Sequence, residues 1–254
     1  MNRIQSLFQN PGEKLIPFFT AGYPELDSMV ELVLGAVSAG ADMIEIGIPF
    51  SDPQADGPII QKASEKALKN GITLNIIFEQ VKEIRKETTV PIALMGYYNP
   101  ILRWGPKNFL KACSDIGVDG LILPDLPLDE ARDFCADSKA FNISPILLVA
   151  PNTSDDRIRE ISLVAGDLIY AVSILGITGS KINAKNSLKP YLSRVRDNSS
   201  VPFIVGFGIS SYEDVKWFNK YSDGVVVGSA LIKKIGEKKN SANIVYNFIK
   251  RLKG

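Results

Sequence analysis

Histidine is absent from all 254 residues, which removes the commonest general base and the commonest transition-metal ligand from any mechanism the chain could use. Acid–base chemistry must fall to carboxylates, lysine or tyrosine. Cysteine is nearly absent too. Cys113 and Cys135 stand alone in amphipathic helical stretches, without the close pairing of a CxxC redox or zinc motif, and read as packing residues. Neither sign of charge prevails: 29 lysines and arginines against 28 acids leave +1, so the net charge attracts neither nucleic acid nor an anionic membrane. No apolar run nears the roughly 18 residues of a membrane span, and the opening MNRIQSLFQNPGEK lacks the apolar core of a secretory signal. A soluble, intracellular chain is the expectation.

What is present is a rhythm. Eight short apolar runs recur with helical stretches between them: KLIPFFTAG, DMIEIGIPF, VPIALMGYY, DGLILPDL, SPILLVAP, DLIYAVSIL, VPFIVGFG and DGVVVGSAL. Near-continuous Val, Ile and Leu is the mark of parallel strands buried on both faces. The stretches between have helical periodicity, as in Asp27 to Gly40, Lys107 to Gly117 and Asn240 to Lys253, where Ile244, Val245, Phe248, Ile249 and Leu252 form one stripe that reads as core. Ser154 and Ser211 stand where helix N-caps are expected, each followed by an acid in the first turn. The longest gap, between the second and third runs, holds two helical stretches, Ile59–Lys69 and Leu74–Glu87. No linker or composition shift divides the chain. These features predict a single (β/α)8 (TIM) barrel over residues 1–254 with an extra helix after strand 2, a fold that needs about 250 residues.

In such a barrel the chemistry sits at the C-terminal ends of the strands. Glu45 lies inside the second run between Ile44 and Ile46, and an acid there must face the barrel mouth or go unsatisfied. Burial would raise its pKa and suit it to general acid–base work; pairing with a base on the rim is the structural alternative. The following SDPQADGP places Asp52 and Asp56 among prolines and a glycine, which Asx turns alone could explain. Combined with Glu45, two carboxylates from one strand and its loop could serve opposite ends of one substrate. Later, GITG (Gly176–Gly179), GFG (Gly206–Gly208) and VGSA (Val227–Ala230) follow successive strands. Each could be a tight turn. Together they read as a phosphate cradle of backbone N–H groups, needing no lysine or arginine.

The motifs IPFFTAGYP, IEIGIPFSDPQADGPIIQ, LMGYYNPI, LILPDLPLDE, IYAVSILGITG, GFGIS and VVVGSAL closely resemble, in order and spacing, those of tryptophan synthase α subunits, from about Phe18 to Leu231. The resemblance implies a lyase that cleaves indole-3-glycerol phosphate into indole and glyceraldehyde 3-phosphate, with Glu45 and Asp56 as its catalytic carboxylates. It implies that Gly179, Gly208, Gly228 and Ser229 bind phosphate, and that Thr178 sits in a loop closing on the substrate. Phe18, Ile60, Tyr97, Tyr170 and Phe207 match residues lining the indole pocket, although each could be ordinary barrel filling. It further implies no cofactor or metal in this chain, and an α2β2 assembly with a pyridoxal-phosphate β subunit that receives indole through a tunnel. The β contact would run through rim loops including Asp52, Pro53, Asn99 and Pro127, in the cytoplasm or a plastid stroma. Gln54, where many members carry leucine, and Ile174 and Leu175, where others are more polar, are departures that touch partner binding and loop closure.

Retro-aldol cleavage needs an electron sink, which aldolases usually supply as a lysine Schiff base or a metal ion. No lysine stands at a strand C-terminus here. Indole protonated at C3 can itself be the sink, with Asp56 stabilising the charge at its N–H and Glu45 moving protons. A stand-alone indole-3-glycerol phosphate lyase would carry the same acids and differ in turning over without a β subunit. A catalytically silent binding subunit fits poorly with both acids and the whole cradle present. Isomerase barrels of histidine or tryptophan synthesis do not share the SDPQADGP context.

Overall fold

A computed structural model describes residues 2–172, 185–206, 208–236 and 241–254. The eight apolar runs form parallel strands: β1 (Leu15–Thr20), β2 (Ile44–Gly47), β3 (Ile92–Met95), β4 (Gly120–Ile122), β5 (Ser144–Val149), β6 (Ile169–Val172), β7 (Phe203–Gly206) and β8 (Gly224–Val227). Each pairs with its neighbours in sequence, and β8 closes on β1 with Leu15 opposite Val225. The chain is a closed (β/α)8 barrel. Its helices are α1 (Arg3–Gln9), α2 (Met29–Ser38), α3 (Pro58–Lys69), α4 (Leu74–Glu87), α5 (Tyr98–Trp104), α6 (Pro106–Asp115), α7 (Leu128–Ala140), α8 (Asp155–Ala165), α9 (Lys185–Asn198), α10 (Tyr212–Asn219), α11 (Ser229–Ile235) and α12 (Ser241–Lys253). None among the described residues is long and apolar enough to cross a membrane.

Two separate cores follow from the two-residue period of a strand. Leu15, Phe19, Ile44, Ile46, Leu94 and Val225 face outward and pack beneath the helices. Ile16, Phe18, Ala93, Ile122, Ile146, Tyr170, Ile204 and Val226 face inward and fill the barrel. Glu45 belongs to the inward set, its two isoleucine neighbours to the outward one, so the apolar flanks that make β2 a strand also aim its acid inward.

Both helices expected between β2 and β3 are present as α3 and α4. Pro58 starts α3 at a position whose N–H needs no partner, and the Thr73 hydroxyl accepts from the Ile76 N–H to cap α4. The Ser154 and Ser211 caps form as expected, the latter as a capping box with Asp214. The α12 stripe is core: Val245, Phe248, Ile249 and Leu252 are buried. At Gly35 of α2 a Cβ would stand 2.9 Å from the Ala242 carbonyl oxygen, so only glycine lets α2 and α12 approach this closely. Both cysteines are buried free thiols, and burial pushes that of Cys135 up to about 11.

Three short helices exceed the sequence reading. One of them, α1, caps the floor of the barrel. Asn2 and Gln5 form a capping box, and Ile4 is fully buried at a place where a Cβ on Gly120 would lie 2.7 Å from its Cδ1. Beside it the buried Asp119 carboxylate accepts from Arg3 (2.9 Å), Arg85 (2.5 Å) and the Ile92 N–H (2.8 Å), tying α1, α4 and β3 together. The second, α5, precedes the expected helix at Lys107–Gly117 and is separated from it by Gly105 at φ 92°. Its first N–H, on Tyr98, donates to both oxygens of Asp125 at 3.0 Å. The third, α11, follows β8 directly.

Candidate active site

Above the plugged floor the barrel opens into one cavity of about 420 Å³. Its walls are the upper ends of the inward faces, among them Phe18, Glu45, Met95, Ile122, Leu148, Tyr170, Val172 and Val226, with Ala55, Asp56 and Ile60 over one side and Gly206, Gly208, Gly228 and Ser229 opposite in sequence order. The volume lies within the usual span of small-molecule sites.

Glu45 is 1% exposed, and its buried Oε2 has no hydrogen-bond partner among the described residues. Opposite it in register stand Phe18 on β1 and Ala93 on β3, neither able to donate from its side chain. Burial first, and the neighbouring charge of Asp56 second, raise its carboxyl from 4.5 to about 8. It therefore keeps its proton near neutrality while remaining able to release it. A rim base as the partner of Glu45 is not found among the described residues.

Asp56 is reached through the loop that leaves β2. Burial raises its pKa, and a hydrogen bond from Tyr97 opposes the rise. The Tyr97 hydroxyl accepts from the Ala55 N–H at 2.9 Å and donates to Asp56 Oδ2 at 3.3 Å. The Gln61 amide holds the loop from α3, donating to the carbonyls of Pro53 (3.2 Å) and Asp56 (2.9 Å). Asp52 and Pro53 are not among the residues around the cavity; with Gln54 they wall a groove against α3. Asn99, in the first turn of α5, and Pro127, at the start of α7, are exposed.

Close packing governs the aromatic wall. A Cβ on Gly47 would lie 2.5 Å from Phe18 Cζ, and one on Gly206 would lie 2.3 Å from the Tyr170 hydroxyl, so these glycines make room for the two rings. On the far side Gly208 adopts φ 61°, and Gly228 caps α11, whose first residue is Ser229. The first N–H groups of a helix have no partner within it. No lysine or arginine lines the cavity among the described residues.

The structure thus gathers Glu45, Asp56, Phe18, Ile60, Tyr170, Gly208, Gly228 and Ser229 around one space. Tyr97 is not among the residues around that cavity but borders an adjoining void of about 10 Å³ that shares Phe18, Asp56 and Ile60 with it. Thr178, Gly179 and Phe207 lie outside the described residues, as do Ile174 and Leu175. Met95, Ile122, Leu148 and Val172 are wall residues that the sequence reading does not name; their inward position on strand ends is the signal that marks them.

A closed (β/α)8 barrel with one buried and one half-buried acid and glycine turns around an apolar cavity at its C-terminal mouth defines an enzyme of the barrel class. The chain belongs to the tryptophan synthase alpha chain family, whose model matches residues 4–253. It is 49% identical to the tryptophan synthase alpha chain of Petrotoga mobilis over 251 residues, covering 99% of this chain and 97% of that one. It is 43% identical to that of Christiangramia forsetii, covering 100% and 99%. Among solved structures, tryptophan synthase subunit alpha from Legionella pneumophila superposes with a TM-score of 0.91 at 36% identity, covering 99% of this chain and 97% of that one. A chain of the tryptophan synthase complex from Pyrococcus furiosus superposes at 0.88 and 39% identity, covering 95% and 98%.

Proposed function

We propose that Glu45 and Asp56 are the catalytic carboxylates with which this alpha chain, a lyase of tryptophan biosynthesis, cleaves indole-3-glycerol phosphate into indole and glyceraldehyde 3-phosphate. The observation that carries this reading is the buried Oε2 of Glu45, without a partner among the described residues, in an apolar cavity. A carboxyl with a free oxygen and a pKa raised to about 8 suits both halves of the proton traffic. It takes the proton of the C3′ hydroxyl as the carbon–carbon bond breaks and supplies one to indole C3, so that the ring accepts the electron pair. Asp56, across the same space, accepts a hydrogen bond from the indole N–H and stabilises the positive charge that grows there. Phe18, Ile60 and Tyr170 enclose the ring. Gly208, Gly228 and Ser229 hold the phosphate through backbone N–H groups, and binding energy at that remote end orients the bond to be broken. Thr178, Gly179 and Phe207, which the family resemblance adds to the site, lie outside the described residues.

The partner in this reading is the β subunit of an α2β2 complex, as in the Pyrococcus furiosus assembly. Exposed Asp52, Asn99 and Pro127, with Pro53 beside them, offer the rim that it would cover. Bacterial relatives support a cytoplasmic setting. Glu45→Gln and Asp56→Asn, assayed for indole release with and without a β subunit, test the assignment. Glu45→Gln should lose several powers of ten in turnover, and Asp56→Asn should lose turnover far more than affinity. Retention of more than about a tenth of the rate by Glu45→Gln removes Glu45 from the mechanism. Full activity without a β subunit would instead favour a stand-alone lyase.

A further inference from the structure

The loop from Phe50 to Gly57 carries Asp56 but has few buried anchors of its own: Ser51, Asp52, Gln54 and Ala55 are exposed. A catalytic carboxylate on such a segment must be fixed by something outside it. Tyr97 touches the loop at both ends. Its ring stacks on Phe50 with centroids 5.0 Å apart and planes 25° from parallel. Its hydroxyl accepts from the Ala55 N–H at 2.9 Å, which commits its own hydrogen to Asp56 Oδ2 at 3.3 Å. Tyr97 is itself held rigidly: it is the N-cap residue of α5, and the next N–H is clasped by both oxygens of Asp125 from the loop after β4. It borders a small void that shares Phe18, Asp56 and Ile60 with the substrate cavity.

We propose that Tyr97 is a positioning residue for the reaction, fixing the Phe50–Gly57 loop and turning Asp56 so that one carboxylate oxygen is taken by the Tyr97 hydroxyl and the other is left for substrate. The inference rests on the reading of Asp56 as a catalytic carboxylate and deepens it. Asp56 is aimed by residues from three successive strand loops: its own, Tyr97 after β3, and Asp125 after β4. A ring that merely lined the pocket would contribute through contact area and affect ground-state and transition-state binding alike. A ring that aims a charge matters where the charge develops.

Tyr97→Phe keeps the ring and the Phe50 stack and deletes only the hydroxyl. Steady-state cleavage of indole-3-glycerol phosphate should show kcat lower by about tenfold to a hundredfold, the worth of one hydrogen bond to a charged group, with KM within about twofold. In Asp56→Asn, adding Tyr97→Phe should cost no more than about twofold further, because the hydroxyl acts through the carboxylate. In the unsubstituted chain, amide hydrogen exchange should find Ala55 protected relative to Ser51, Asp52 and Gln54, a measurement that needs no variant to fold. A raised KM with unchanged kcat, losses that multiply fully in the double variant, or an Ala55 amide exchanging as fast as its neighbours would each overturn the proposal. The single variant Asp56→Asn separates the two readings. If it retains full turnover, the role of Asp56 itself fails; if it is inactive while Tyr97→Phe is unimpaired, only the positioning role fails.

Discussion

Glu45→Gln should stabilise the fold increasingly as pH rises, and the size of the gain follows from the burial of the acid. In the folded chain Glu45 keeps its proton to about pH 8, whereas an unburied glutamate loses it near 4.5. Between those values the folded state holds one more proton than the unfolded state, so the unfolding free energy falls as pH rises. The slope is about 1.4 kcal/mol per pH unit, and the full interval is worth roughly 5 kcal/mol as an upper bound. This contribution is fully present below pH 4.5, is lost on the way to pH 8 and is constant beyond. Glutamine has the same shape and cannot ionise. Urea unfolding of both proteins, followed by far-UV circular dichroism from pH 5 to pH 9, should give curves that nearly coincide at the acid end and diverge by several kcal/mol at the alkaline end. Asp56, whose pKa burial also raises, titrates in both proteins and largely drops out of the difference. Parallel profiles with a constant offset would refute the reasoning, for they would mean that the carboxyl titrates at the same pH folded and unfolded.

Gly47→Ala should push Phe18 into the cavity, because the added Cβ would lie 2.5 Å from Phe18 Cζ. A stability loss of about 1–3 kcal/mol with a raised KM is expected, and adding Phe18→Leu should recover part of the stability; thermal melts and steady-state kinetics check both. Asp119→Ala would leave the Arg85 guanidinium, 10% exposed, without its carboxylate. Urea unfolding should show a loss of about 3–5 kcal/mol while kcat per folded molecule stays within about twofold, since the change is at the barrel floor.

Much of this architecture is legible in the sequence because the barrel repeats one local rule. The pattern Ile44–Glu45–Ile46 already dictates that the acid faces opposite to its neighbours, and Ser154 and Ser211 announce their helices within four residues. Features that depend on distant contacts escape that reading. Helix α5 is clasped at its start by Asp125, 27 positions away in the chain, which no local window contains. The Asp119 network joins residues from three segments for the same reason. Met95, Ile122 and Leu148 look like any other strand residues until register sorts inward from outward. Tyr97 shows the converse limit: its identity is informative, yet only the partners of its hydroxyl separate lining a pocket from holding a loop. The α1 capping box is the signal most available and unused, since Asn2 followed three residues later by Gln5 announces a helix start.

The alternation that aims Glu45 inward also makes enzymatic turnover a readout of folding. A strand displaced by one residue exchanges its two faces. In β2 such a slip would drive the carboxyl under the surrounding helices and bring an isoleucine into the cavity, with secondary-structure content hardly altered. Circular dichroism would count that molecule as folded; an assay for indole would not. Regain of activity during refolding therefore reports the arrival of one strand at one register, and a lag behind the recovery of helical signal would time that step.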